Sequence, residues 1–245
     1  MSVDAAGAAD KAEAQLADGA ALLAALAAAG ANLAHQSEAI DALNVFPVPD
    51  GDTGKNMTLT MQAALDAAQA APPAELASAG ALAARLARGA VMGSRGNSGV
   101  ILSQILRGFA RGLGAAERFG DAELATAFRE ATATAYRAVQ QPVEGTMLTV
   151  IRAVADAAEA TVAAAETAPS GLLAVLDTGL AAAREALAHT PELLPRLREA
   201  GVVDAGGQGV VALLEGATRY AHGEAPGVPA KVVQPVTPSA AGGVA

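Results

Sequence analysis

"GSRGNSGVILSQILRGFARGL", residues 93–113, decides the fold class. Three glycines within seven residues open it, and an apolar stretch follows at once. Val100, Ile101, Ile105, Phe109 and Leu113 recur at three-to-four spacing, with Arg107 and Arg111 off the stripe. That period belongs to one face of a helix. The pattern returns downstream at Leu172, Leu173, Leu176, Leu180 and Leu187. Sustained alternation of β-branched residues, the strand signal, is absent from the sequence. Ala and Leu dominate, and both favour helix intrinsically.

Breakers divide this helical material. They stand at Pro47 and Pro49, Pro72 and Pro73, Gly93–Gly99, Gly120, Pro142–Gly145, Pro169–Gly171, Pro191 and Pro195, and Asp204–Gly207. Roughly eight or more helices result. Connections this short imply antiparallel neighbours, so the prediction is one all-α bundle. The end differs: "GEAPGVPAKVVQPVTPSAAGGVA", residues 223–245, has four prolines and no helical period. It reads as a linker or disordered tail, and a linker that stops in mid-stretch predicts that more protein followed. Residues 1–11 are expected to be disordered as well.

Composition narrows the function. The net charge of −9 and the 2% of aromatics leave little to grip a phosphate backbone or stack bases, so nucleic-acid binding is not expected. No cysteine is present, which excludes disulfides and thiolate metal sites. The start, "MSVDAAGAAD", has neither the basic nor the apolar part of a secretory signal, so the cytoplasm is the default. Residues 19–37 carry no charge, but Asn32, His35 and Gln36 interrupt them and Leu22, Leu23, Leu26 and Leu33 share one face. A core-packing helix is predicted there, not a membrane span.

The chemistry concentrates in four turns. In "NVFPVPDGDTGKNM", residues 44–57, Asp50 and Asp52 flank Gly51 in a stretch stiffened by Pro47 and Pro49. Two carboxylates this close repel unless a cation sits between them, and Mg²⁺ takes such oxygens while sharing its shell with phosphate. Asn44 offers a neutral oxygen. The bland reading is a solvated turn in which an Asp caps the next helix. A Walker A loop is excluded, because Pro49 and Asn56 stand where that pattern needs Gly and Ser or Thr. "GSRGNSG", 93–99, opens a helix with Asn97 and Ser98 as donors, a ready anion site or a plain capped turn. "PVEGTML", 142–148, places Thr146 at a helix mouth, and "VVDAGGQG", 202–209, places Asp204 as an N-cap. Gathered at one end of a bundle, the four turns would make a phosphate cup with an acidic rim. His35, His189 and His222 are scattered and form no catalytic arrangement.

These four motifs, in this order, resemble the ATP-binding subunit of bacterial fatty acid kinase, over about residues 12–222. That N-terminal nucleotide-binding domain is similar to the L subunit of dihydroxyacetone kinase. The resemblance implies an antiparallel eight-helix barrel with a nucleotide site at one end, binding ATP or ADP with a pair of Mg²⁺ ions. It implies Asn44, Asp50 and Asp52 as metal ligands, with Asp50 and Asp52 carrying the catalysis. It implies nucleotide contacts from Thr53, Gly54, Lys55 and Asn56, from Asn97 and Ser98, from Thr146 and Met147, and from Asp204, Ala205 and Gly206. The dihydroxyacetone kinase relatives have a third Asp at the position aligned with Asn44, and Lys55 replaces an expected small residue. The implied activity is phosphorylation of a fatty acid, presented by a separate fatty-acid-binding protein, to an acyl phosphate. Further C-terminal kinase domains are expected beyond residue 245. Two alternatives stand beside it: a dihydroxyacetone-type kinase subunit, which the "NVFPVPDGDTG" form disfavours, and a non-catalytic ADP/ATP-sensing module, which Asn44 keeps open. A plain helical interaction domain leaves the four turns as coincidence.

Overall fold

The structure is a computed structural model that describes residues 16–165, 167 and 170–224. The expected disordered start at 1–11, Pro169, and residues 225–245 of the expected tail lie outside the described residues. The described residues form eight long helices: α1 (Gly19–Asp41), α2 (Thr53–Gln69), α4 (Ala79–Gly93), α5 (Gly96–Leu113), α6 (Asp121–Ala138), α7 (Met147–Ala163), α8 (Leu172–Ala188) and α11 (Ala205–Ala221). Three short ones, α3 (Pro73–Ala77), α9 (Thr190–Leu193) and α10 (Pro195–Ala200), sit in the connections. Among the described residues the only β-type pairing is an isolated bridge between Ala17 and Phe119.

Each long helix packs on the next, and α11 packs on both α8 and α1, which closes a ring. The direction alternates. The starts of α1, α4 and α6 lie together, tied by the Ala17–Phe119 bridge and by Ala79 N–H to Glu117 C=O, 3.0 Å. The start of α8 joins them through Gly171 N–H to Asp121 Oδ2, 3.0 Å. The starts of α2, α5, α7 and α11 therefore lie at the other end. The expected all-α antiparallel bundle is the observed fold.

Small residues set the spacing of the ring. On α5, a Cβ at Gly108 would come within 2.5 Å of the Ala131 backbone on α6. Gly112, one turn on, meets Ala127 as closely, so the two helices touch backbone to backbone. The larger side chains point inward: Leu33, Ile40, Met57, Met61, Leu82, Leu102, Leu148 and Val154 are fully buried. They do not fill the ring, and an apolar cavity of about 280 Å³ opens among Leu22, Ile105, Phe109, Phe128, Ile151 and Leu213. Two expected core residues turn outward. Val100 is 47% exposed and Leu173 43%, while Leu102 and Leu106 take the buried face of α5 and Val175 that of α8. The cause is angular: a residue beside the stripe turns the core face by about 100°. No described helix is long and apolar enough to cross a membrane, as predicted for residues 19–37.

Candidate functional site

The end of the ring that holds the starts of α2, α5, α7 and α11 contains a cleft of about 470 Å³. It is built from the α1–α2 loop, the first turn of α5, the α6–α7 turn and the entry to α11. Asn44, Asp50, Asp52, Thr53, Asn56, Asn97, Ser98, Thr146, Met147, Asp204 and Gly206 all line it. Three expected contact residues do not. Gly54 is buried, with no room for a Cβ against the Ser37 carbonyl; Lys55 is exposed outside the cleft; Ala205 is buried beneath it.

The acidic loop is held from an unforeseen direction. Asp52 occupies the N-cap position of α2 but makes no capping hydrogen bond. Asp41, at the end of α1, does that work: its Oδ1 accepts from Gly54 N–H at 2.6 Å and Lys55 N–H at 3.3 Å. The Asp52 carboxylate is thereby left for the cleft. Asn44 Nδ2 donates to Asp50 Oδ1 at 2.6 Å, which fixes the amide orientation. Its Oδ1 is then buried with no partner. An orphaned buried acceptor costs free energy unless a ligand or ion meets it. The Phe46–Pro47 peptide of this loop is cis.

The α4–α5 turn packs directly on α2. Thr60 Oγ1 donates to Asn56 C=O at 2.7 Å and accepts from Arg95 N–H at 3.2 Å. A Cβ at Gly96, where φ is +56°, would strike the Asn56 amide. No side chain caps α5, so its first turn faces the cleft with the positive end of the helix dipole.

Asp204 is spent on structure. Its carboxylate caps α11 through Gly207 N–H at 2.7 Å and also accepts from the Met147 backbone at the start of α7. Its own N–H donates to Thr190 Oγ1 at 3.1 Å. Complete burial pushes its pKa up to about 6, against the pull of those two backbone donors. This residue joins the α7 and α11 walls from within.

A divalent cation fits the donor set. Asp50 and Asp52 supply two carboxylates and Asn44 an unsatisfied amide oxygen, while no three His, Cys, Asp or Glu converge among the described residues. That is a partial shell of the kind Mg²⁺ completes with water and phosphate oxygens. Phe46, Val48, Val100, Ile101, Val139 and Val143 give the same cleft an apolar lining. The arrangement suits a ligand with an anionic end, a flat apolar end and a metal between it and the carboxylates.

Comparison with known proteins shows the family and the fold. The DAK2 domain matches residues 47–219. Protein YloV of Bacillus subtilis is 43% identical over 204 residues, covering 83% of this chain and 35% of its own. An uncharacterized protein of Staphylococcus saprophyticus is 42% identical over 193 residues, 79% of this chain and 34% of its own. The chain thus spans about a third of the length of these relatives. In fold it is similar to the native crystal structure of the dihydroxyacetone kinase of C. freundii, with a TM-score of 0.54 and 17% identity, over 82% of this chain and 34% of that one.

Proposed function

Because the chain belongs to the DAK2 domain family, we propose that the cleft binds Mg-ATP and that the domain is the nucleotide-binding part of a kinase that phosphorylates fatty acids. The observation that carries the nucleotide reading is the joint placement of Asn44, Asp50 and Asp52 with the uncapped start of α5 in one cleft. Asn44, Asp50 and Asp52 would hold the metal, which when bound supplies charge neutralisation on the transferring phosphoryl group. The chain's own residues do the rest. The α5 first turn, with Asn97 and Ser98, offers donors to phosphate oxygens, and Thr146 and Met147 line the same cleft beside it. The apolar lining takes the base and keeps water from it. Asp41 and Asp204 hold the loops still, and phosphoryl transfer depends on such positioning.

The acceptor class rests on two supports. The "NVFPVPDGDTG" form resembles the fatty acid kinase motif. The titratable residues among those lining the cleft are Asp50, Asp52 and Asp204, with no histidine to deprotonate an alcohol. A carboxylate acceptor needs no base. The acyl group would arrive on a separate fatty-acid-binding protein, and the further two thirds of the length seen in the relatives would complete the enzyme. Dihydroxyacetone as acceptor is the second reading, favoured by the likeness in fold alone.

Thermal melting with ADP or ATP, with and without Mg²⁺, tests the site. A ligand at a hundredfold excess over its Kd adds about 2.7 kcal/mol of stability. The wild type is expected to show that shift only with Mg²⁺, and Asp50→Asn/Asp52→Asn is expected to lose it. A wild type that ignores millimolar nucleotide sinks the reading.

A further inference from the structure

The α6–α7 turn carries a polar cluster whose members do not line the cleft. Glu144 is its centre. Its carboxylate pairs with Arg152 through both oxygens, Oε1 with Nη1 at 2.7 Å and Oε2 with Nη2 at 2.8 Å. Tyr136 on α6 donates its hydroxyl to Oε1 at 3.0 Å and accepts from Arg152 Nη1 at 2.8 Å. Thr149 on α7 donates to Oε2 at 2.6 Å and accepts from Gly145 N–H at 2.9 Å. The Arg152 guanidinium also lies over the Tyr136 ring, 5.6 Å from its centre. Each hydroxyl gives one bond and takes one, so the network is closed.

Its position gives it a purpose. Val143 and Thr146, on either side of Glu144 and Gly145, line the cleft. Gly145 has φ +79°, and a Cβ there would come within 2.8 Å of Thr190 C=O and 2.9 Å of Leu194 Cβ, so the turn is pressed onto the α9 segment. Asp204 holds the start of α7 from the inner side, and Glu144 holds the same turn from the outer side. Thr146 Oγ1 bonds only within the turn, to Val143 C=O at 2.8 Å and from Leu148 N–H at 3.4 Å.

We propose that Glu144 and Arg152 are positioning residues, an ion pair outside the cleft that sets the α7 N-terminus in place for the nucleotide. The inference rests on the nucleotide reading of the site. The pair is about two-fifths exposed, 43% for Arg152 and 42% for Glu144, so solvent screens its charges, and melting each variant alone reads what it adds to global stability. Helix α7 is anchored independently by buried Leu148, Val150, Ile151 and Val154. Loss of the pair therefore frees the turn without melting the helix, and the effect falls on the ligand.

The experiment is calorimetric titration of Mg-ADP into wild type, Glu144→Ala, Glu144→Gln, Arg152→Ala and the double alanine variant, with melting of each protein alone. Both single alanine variants are expected to weaken Kd about tenfold, the equivalent of one charge-assisted contact. The double variant is expected to match the singles, because one interaction is lost in all three. Glu144→Gln keeps one acceptor oxygen, enough for Tyr136 or Thr149 but not both, and loses the charge, so it is expected to recover only part of the affinity. Amide exchange over residues 143–149 should quicken in the alanine variants while the rest of α7 stays protected. Charge alone predicts otherwise: removing an anion near phosphates would tighten binding, and tighter binding by Glu144→Ala overturns the proposal. So does unaltered affinity in both alanine variants. A wild type that does not bind Mg-ADP removes the nucleotide reading itself, and this inference with it.

Discussion

The two ends of the ring start the same number of helices but finish them differently. At the end that carries the start of α1, three of the four long helices have their starts closed by side chains of their own neighbourhood. Asp18 caps α1 through Ala21 N–H at 2.9 Å, Ser78 caps α4 through Ala81 N–H at 3.4 Å, and Glu123 closes back on Gly120 N–H at 2.9 Å before α6. The cavity nearest that end is lined by apolar side chains. At the opposite end α5 has no side-chain cap, α2 borrows its cap from Asp41, and Asp52 is left free. The cleft there is rimmed with carboxylates and amides. Thr146 and Asp204 cap α7 and α11 there, so α5 is the start left open at this end, and an open helix start, a cost to the fold, becomes a means of binding an anion.

The comparison breaks most visibly at Asp204. Its folded pKa, raised to about 6 by burial, means that the folded state holds a proton that the unfolded state releases near pH 4. Between those limits the unfolded state gains by ionising, so this residue subtracts stability as pH rises from about 4 to about 6, on the order of 3 kcal/mol in all. Asp204→Asn is expected to lack that part of the curve, and melting against pH for both proteins measures it. Parallel curves would mean that the buried carboxylate has another compensating charge.

A second change acts on the borrowed cap. Asp41→Ala is expected to cost about 1 kcal/mol of stability, as lost N-caps do, and to weaken nucleotide binding too because the acidic loop loses its anchor. Denaturant unfolding and nucleotide titration on the same preparation read both effects. Stability lost with affinity intact would show that the loop holds itself.

The smallest effect is expected at the closed end. Ser78→Ala removes a long cap bond and should cost about 0.5 kcal/mol. Its nucleotide-dependent melting shift should equal that of the wild type. A weakened shift would mean that the two ends are coupled through the ring.

Much of this could be read from residues alone. The Gly-rich openings of α5 and α11, the Gly145 turn before α7 and the Pro-rich acidic stretch before α2 each stood in the sequence beside an apolar helical period. Asp41 could not be read in that way, since an Asp at the end of one helix thirteen residues before Gly54 carries no local capping signal. Glu144 was visible inside "PVEGTML", but its partners Tyr136 and Arg152 approach it from two different helices. Val100 misled, because it continues an apolar run that the real core leaves one residue aside.

The sequence by itself determined the helices, their breaks and an antiparallel bundle, because propensity, periodicity and short connections act over a few residues at a time. Only the tertiary structure decided which polar groups are spent and which are free. Asp41 takes the α2 cap, Asp204 is consumed between two helices, and Asn44 keeps an open oxygen. The hydrogen-bonding of a buried side chain depends on which elements close around it, and that is fixed only when the ring has closed.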